Sequence, residues 1–126
     1  MAGGYAEAVR SLCAAPVHAG DLPPDDGPVR ESEAAAPERG AWVRFTVRLK
    51  DGVVAEARFR AWGCPHVLAA CELAASRLAG QVPGRFEGVS AASLAQALDA
   101  PAEKRGRLLV VEDALTGLAA ATPASK

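Results

Sequence analysis

Residues 57–80, ARFRAWGCPHVLAACELAASRLAG, restrict the fold more than any other stretch. Before Gly63 the residues alternate, with Ala57, Phe59 and Ala61 set against Arg58 and Arg60. A period of two marks a half-buried strand. Gly63 breaks that pattern, and Pro65 suits the first position of a helix, where its missing N–H costs nothing. Val67, Leu68, Cys71, Ala74, Ala75 and Leu78 then recur at helical spacing, and Gly80 is a natural stop. A strand, a break and a helix therefore meet at Gly63-Cys64-Pro65. This puts Cys64 at or beside a helix N-cap, where N–H groups and the helix dipole favour a thiolate.

The segment upstream supplies the strand's partner. Val43, Phe45, Val47 and Leu49 face one way, and Trp42, Arg44, Thr46 and Arg48 face the other. Lys50-Asp51-Gly52 reads as a hairpin turn, with Val53 to Trp62 returning. The economical arrangement is an antiparallel hairpin with helices on its apolar face, an α/β (α+β) fold. Arg44, Arg48, Arg58 and Arg60 then form a basic outer face, read as a solvated sheet surface. Tyr5 to Ala15 reads as a short helix with Tyr5, Ala8, Val9 and Leu12 on one side, ended by Pro16. Residues 19–40 hold four prolines and several acids, and their composition reads as a long loop. Ser90 caps a short helix carrying Leu94 and Leu98, and Pro101 breaks it. A last helix carries Leu108, Val111, Leu115 and Leu118, with Glu112-Asp113 read as opening a helical turn. Thr122 to Lys126 reads as a frayed tail.

At 126 residues the expectation is one domain spanning 1–126. The net charge of −1, from 14 basic and 15 acidic residues, argues against nucleic acid or an anionic membrane as main partner. No run of about 18 apolar residues offers a transmembrane helix, and the first ten residues lack the apolar core of a secretory signal. Three widely spaced cysteines make no disulfide framework, so a cytoplasmic protein with free thiols is expected.

Cys64, His66 and Cys71 invite a metal reading. However, Cys71 lies about two turns, on the order of 10 Å, into the helix and falls on its apolar stripe, so packing accounts for it better. Structural zinc takes four ligands, typically from separated pairs. Cys13 reads as packing and His18 as a turn residue. No Ser-His-Asp triad, phosphate loop or catalytic carboxylate pair is present, so no catalytic residue is assigned.

In order and spacing, several motifs together resemble the U-type iron–sulfur cluster assembly scaffold family, the IscU and NifU-N-terminal type. They are Tyr5-Ala6-Glu7-Ala8-Val9 followed by Pro16 and Gly20, Ala36-Pro37-Glu38-Arg39-Gly40, Ala57 to Cys64, and Glu112-Asp113-Ala114. The resemblance implies a three-stranded antiparallel sheet packed with helices, with the third strand inside residues 21–40. It also implies a [2Fe–2S] cluster or zinc on three cysteines, and a cysteine desulfurase or another assembly protein as partner. Of those ligands only Cys64 carries over. Arg39 and Arg107 stand at the other two cysteine positions, Ala41 at an aspartate and Gly106 at a histidine. Ala100-Pro101-Ala102-Glu103-Lys104 stands at the family's chaperone-binding L-P-P-V-K. The expected function is scaffold-like iron–sulfur cluster assembly with a degenerate metal site. The alternatives are a metal-free docking module and a protein using Cys64 as a reactive thiol. Arg39 and Arg107 are read either as solvated or paired with Glu38 and Glu103, or as an anion or thiolate pocket around Cys64.

Overall fold

The alternating stretch around Phe45 becomes the middle strand of a sheet. The protein is described by a computed structural model covering residues 7–14, 16–84 and 86–120. Three antiparallel strands lie in the order β1 (Val29–Ala36), β2 (Ala41–Lys50) and β3 (Val53–Trp62). Between β2 and β3, Asp51 and Gly52 both take positive φ, 55° and 82°, the backbone a two-residue hairpin demands.

Val43, Phe45, Val47, Ala57 and Phe59 are buried on one face of the sheet, with the Phe45 and Phe59 rings 6.3 Å apart. On that face lie α2 (Pro65–Leu78) and α4 (Arg105–Ala120). They are joined by α1 (Glu7–Ala14), against α2, and α3 (Ala91–Leu98), against α2 and α4. Almost every side of α2 is covered, with Val67, Ala70, Cys71, Ala74 and Leu78 fully buried. An alanine-rich helix suits that central place, because small side chains let three helices and a sheet approach it.

Four expectations need correction. Residues 19–40 are not all loop, since 29–36 is β1, paired residue by residue with β2 from Val29↔Arg48 to Ala36↔Ala41. This third strand lies where the family resemblance implied it. The outer sheet face is not simply a solvated basic surface. Arg48 is 7% exposed and bonds Pro23 O at 2.9 Å and Glu56 at 3.0 Å, while Arg44 pairs with Glu31 and Arg60 with Asp21. Glu112 lies inside α4 rather than opening a turn, and its carboxylate accepts the Ala91 N–H at 2.6 Å, at the start of α3. Arg39 and Arg107 make no ion pair with Glu38 or Glu103 among the described residues. Tyr5, Ala15 and the tail Thr122 to Lys126 lie outside the described residues.

Candidate functional site

The strand-to-helix junction builds the site. β3 ends at Trp62, Gly63 follows with φ 157°, and Cys64 is the N-cap of α2 with φ −75° and ψ 168°. A Cβ on Gly63 would sit 3.1–3.2 Å from three atoms of the Val67 side chain. The turn is thus closed over the first turn of α2, leaving Cys64 half-buried.

Cations reach this thiol from two other parts of the chain. Burial alone would raise the Cys64 pKa. The Val67 N–H, the Arg107 guanidinium, the His66 N–H and the Lys104 charge outweigh burial, and the thiol lies below its ordinary value. Its sulfur makes no strict cap hydrogen bond, and the Val67 N–H is also bonded to the Cys64 carbonyl at 2.9 Å. The helix end therefore acts on the sulfur through the orientation of its N–H groups. Lys104 comes from a 3₁₀ turn, Ala102–Lys104, and Arg107 from the first turn of α4.

Arg39 has a different place. Its carbonyl accepts from Arg107 Nε at 3.1 Å, and its guanidinium lies against the backbone of Gly106. It therefore holds Arg107 rather than acting on Cys64 directly. Among the described residues, none of Arg39, Lys104, Arg105 or Arg107 is ion-paired. Among the described residues, the arginines of the sheet face are ion-paired and Arg39 and Arg107 are not.

The other thiols divide sharply. Cys71 is fully buried in α2, and burial with the neighbouring Glu72 charge pushes its pKa far upward. It belongs to the core. Cys13 is half-buried near the end of α1 and donates to Pro65 O at 3.2 Å. His66 is 4% exposed, and burial, then Lys104 and Arg107, lowers its pKa.

One pair was not anticipated. Glu72, 4% exposed on α2, accepts the His18 N–H at 2.8 Å and meets His18 Nδ1 at 2.5 Å. This clip holds His18–Gly20 along β3, where Ala19 pairs in parallel with Phe59. A signal for it existed in the sequence. Glu72 falls four residues after Leu68 and three before Ala75, so it is a carboxylate on an apolar stripe.

The fold and this junction can be set beside known proteins. The family model described as "NifU-like N terminal domain" matches residues 4–122. The chain belongs to the NifU-like N-terminal domain family. Solved structures share the fold at low identity. One, from thermophilic Fervidobacterium islandicum AW-1, is described as an iron–sulfur cluster assembly scaffold protein for the SUF system. It has TM-score 0.71 and 11% identity, covering 91% of this chain and 96% of that one. Another is a nitrogen-fixing NifU-like protein (N-terminal) from Brucella abortus, with TM-score 0.61, 14% identity and 90% of each chain covered. A third, described only as a hypothetical protein, has TM-score 0.64 and 17% identity, covering 89% and 93%. No curated protein matches the chain.

Among the described residues, no three His, Cys, Asp or Glu side chains converge where they could hold a metal ion. A thiol whose pKa is lowered beside two cations suits an anion or an electrophilic sulfur, and guanidinium groups have no lone pair to offer iron. The residues present do not fit a resident [2Fe–2S] cluster or zinc. Among the described residues, no helix is long and apolar enough to cross a membrane.

Proposed function

We propose that this NifU-like domain serves iron–sulfur cluster assembly as a scaffold-type protein with a single-thiol site. Cys64 is its one sulfur donor, and Arg107 and Lys104 hold it as a thiolate. Arg39 braces Arg107. The observation that carries the reading lies at one place in the fold: the junction cysteine stands beside Arg107 and Lys104, which make no ion pair among the described residues. In this reading the chain is not an enzyme. It works in the cytoplasm, and a cysteine desulfurase or another assembly protein is its partner. Family membership supports these last points.

A second reading is a docking module that carries no cluster, favoured by the absence of a converging donor set among the described residues. Anaerobic reconstitution with iron and sulfide separates the two. The single-thiol reading expects absorbance and iron content to stay near background for the isolated chain and to rise when a partner supplies further ligands. It also expects that rise to vanish in Cys64→Ser. If Cys64→Ser leaves the partner-dependent rise unchanged, the docking module is the better account.

A further inference from the structure

Two half-buried thiols stand at one helix junction. Cys64 caps α2, and the Cys13 S–H bonds the carbonyl of the next residue, Pro65, at 3.2 Å. The last turn of α1 is thus laid on the first turn of α2. The two sulfurs also sense each other, since charge on Cys64 adds to burial in raising the Cys13 pKa. Cys13 borders two openings, one of about 530 Å³ with Trp42, Arg60 and Leu68, the other of about 320 Å³ with Val9, Arg10 and Pro65. The third thiol, Cys71, is sealed in the core.

We infer that Cys13 is the resolving thiol of Cys64, and that the pair forms a reversible disulfide by exchange with a small anionic disulfide. In the first step the Cys64 thiolate attacks one sulfur of the reagent. The reagent's S–S bond breaks, leaving a mixed disulfide and one free thiolate. In the second step Cys13 loses its proton to solvent and attacks Cys64 Sγ. The mixed S–S bond breaks and the second small thiolate leaves. Two protein thiols are oxidised, one small disulfide is reduced to two thiols, and their protons end on the leaving thiolates. The cations choose the reagent. Lys104 and Arg107 act on Cys64 and have no ion pair among the described residues, so negative charge is attracted to this rim. Closing the bond requires the Cys13 and Cys64 Cα atoms to stand about 4.4–6.8 Å apart. The inference rests on the reading of Cys64 as an accessible thiolate and adds a second residue and a substrate class to it.

The test uses the full chain, glutathione disulfide as anionic probe and cystamine as cationic probe, with products mapped by mass spectrometry without reduction. Three results are expected. Wild type ends with the Cys13 and Cys64 peptides linked and Cys71 free. Cys13→Ser and Cys13→Ala both stop at the Cys64 mixed disulfide. Glutathione disulfide reacts with Cys64 about tenfold faster than cystamine at low salt, and the ratio narrows at high salt. A Cys64 mixed disulfide that persists in wild type overturns the inference and leaves the single-thiol site standing. A cystamine rate equal to or above that of glutathione disulfide overturns the choice of reagent. If Cys64 reacts with neither probe, this inference and the single-thiol site fall together.

Discussion

At Cys64 burial and charge pull in opposite directions, and charge prevails. Alkylation of Cys64 followed against pH should therefore show a midpoint below the ordinary thiol value of about 8.5. Arg107→Ala and Lys104→Ala should each raise it. Arg39→Ala should raise it less, because the Arg39 carbonyl, which any residue keeps, holds Arg107 Nε. The linked stability follows the depressed pKa. It is fully present above the unfolded thiol's pKa and is lost as pH falls through the folded value. The position of Cys64 was legible in the sequence, because Gly63 and Pro65 punctuate strand and helix on either side of it. Lys104 was not, because its charge reaches Cys64 only through the 3₁₀ turn that precedes α4. His18 with Glu72 is a contact 54 residues apart in the chain, and local patterning does not encode such a pairing.

Among the elements, the junction of β3 and α2 is the least tolerant of change. Gly63→Ala would place a methyl group against Val67 on a backbone that L residues rarely adopt, and should cost about 1–3 kcal/mol. Denaturant melts would measure the loss. The same variant should slow Cys64 alkylation if the turn swings the sulfur away from Arg107. The hairpin was readable because β-branched and aromatic residues alternate and Asp51-Gly52 fits the turn. β1 was not readable from its residues. Val29-Arg30-Glu31-Ser32-Glu33-Ala34-Ala35-Ala36 holds poor strand formers, and its strand state comes from pairing with β2 and from α4 packing across it. Ser32 meets the backbone of α4 at Gly117, where no side chain intervenes. The resemblance to a family located this strand where propensity did not.

For the whole molecule, a NifU-like fold comes with no three converging His, Cys, Asp or Glu side chains among the described residues. Positions 39 and 107 still touch one another across the site. Arg39→Cys with Arg107→Cys should therefore give a measurable gain in zinc binding over wild type, read by competition with a chromophoric chelator. Adding Ala41→Asp should harm the fold, because Ala41 is fully buried at the start of β2 and an unpaired carboxylate there would be desolvated. The His18–Glu72 clip has a consequence for the protein in concentrated solution. β3 ends the sheet, and the bare backbone of an end strand is a template on which other chains can stack. Here Phe59 is already paired with His18 and Gly20, and Val54 with Gly80 and Gln81. The protein thus carries its own guard against strand-by-strand aggregation on that side, pinned by one buried carboxylate.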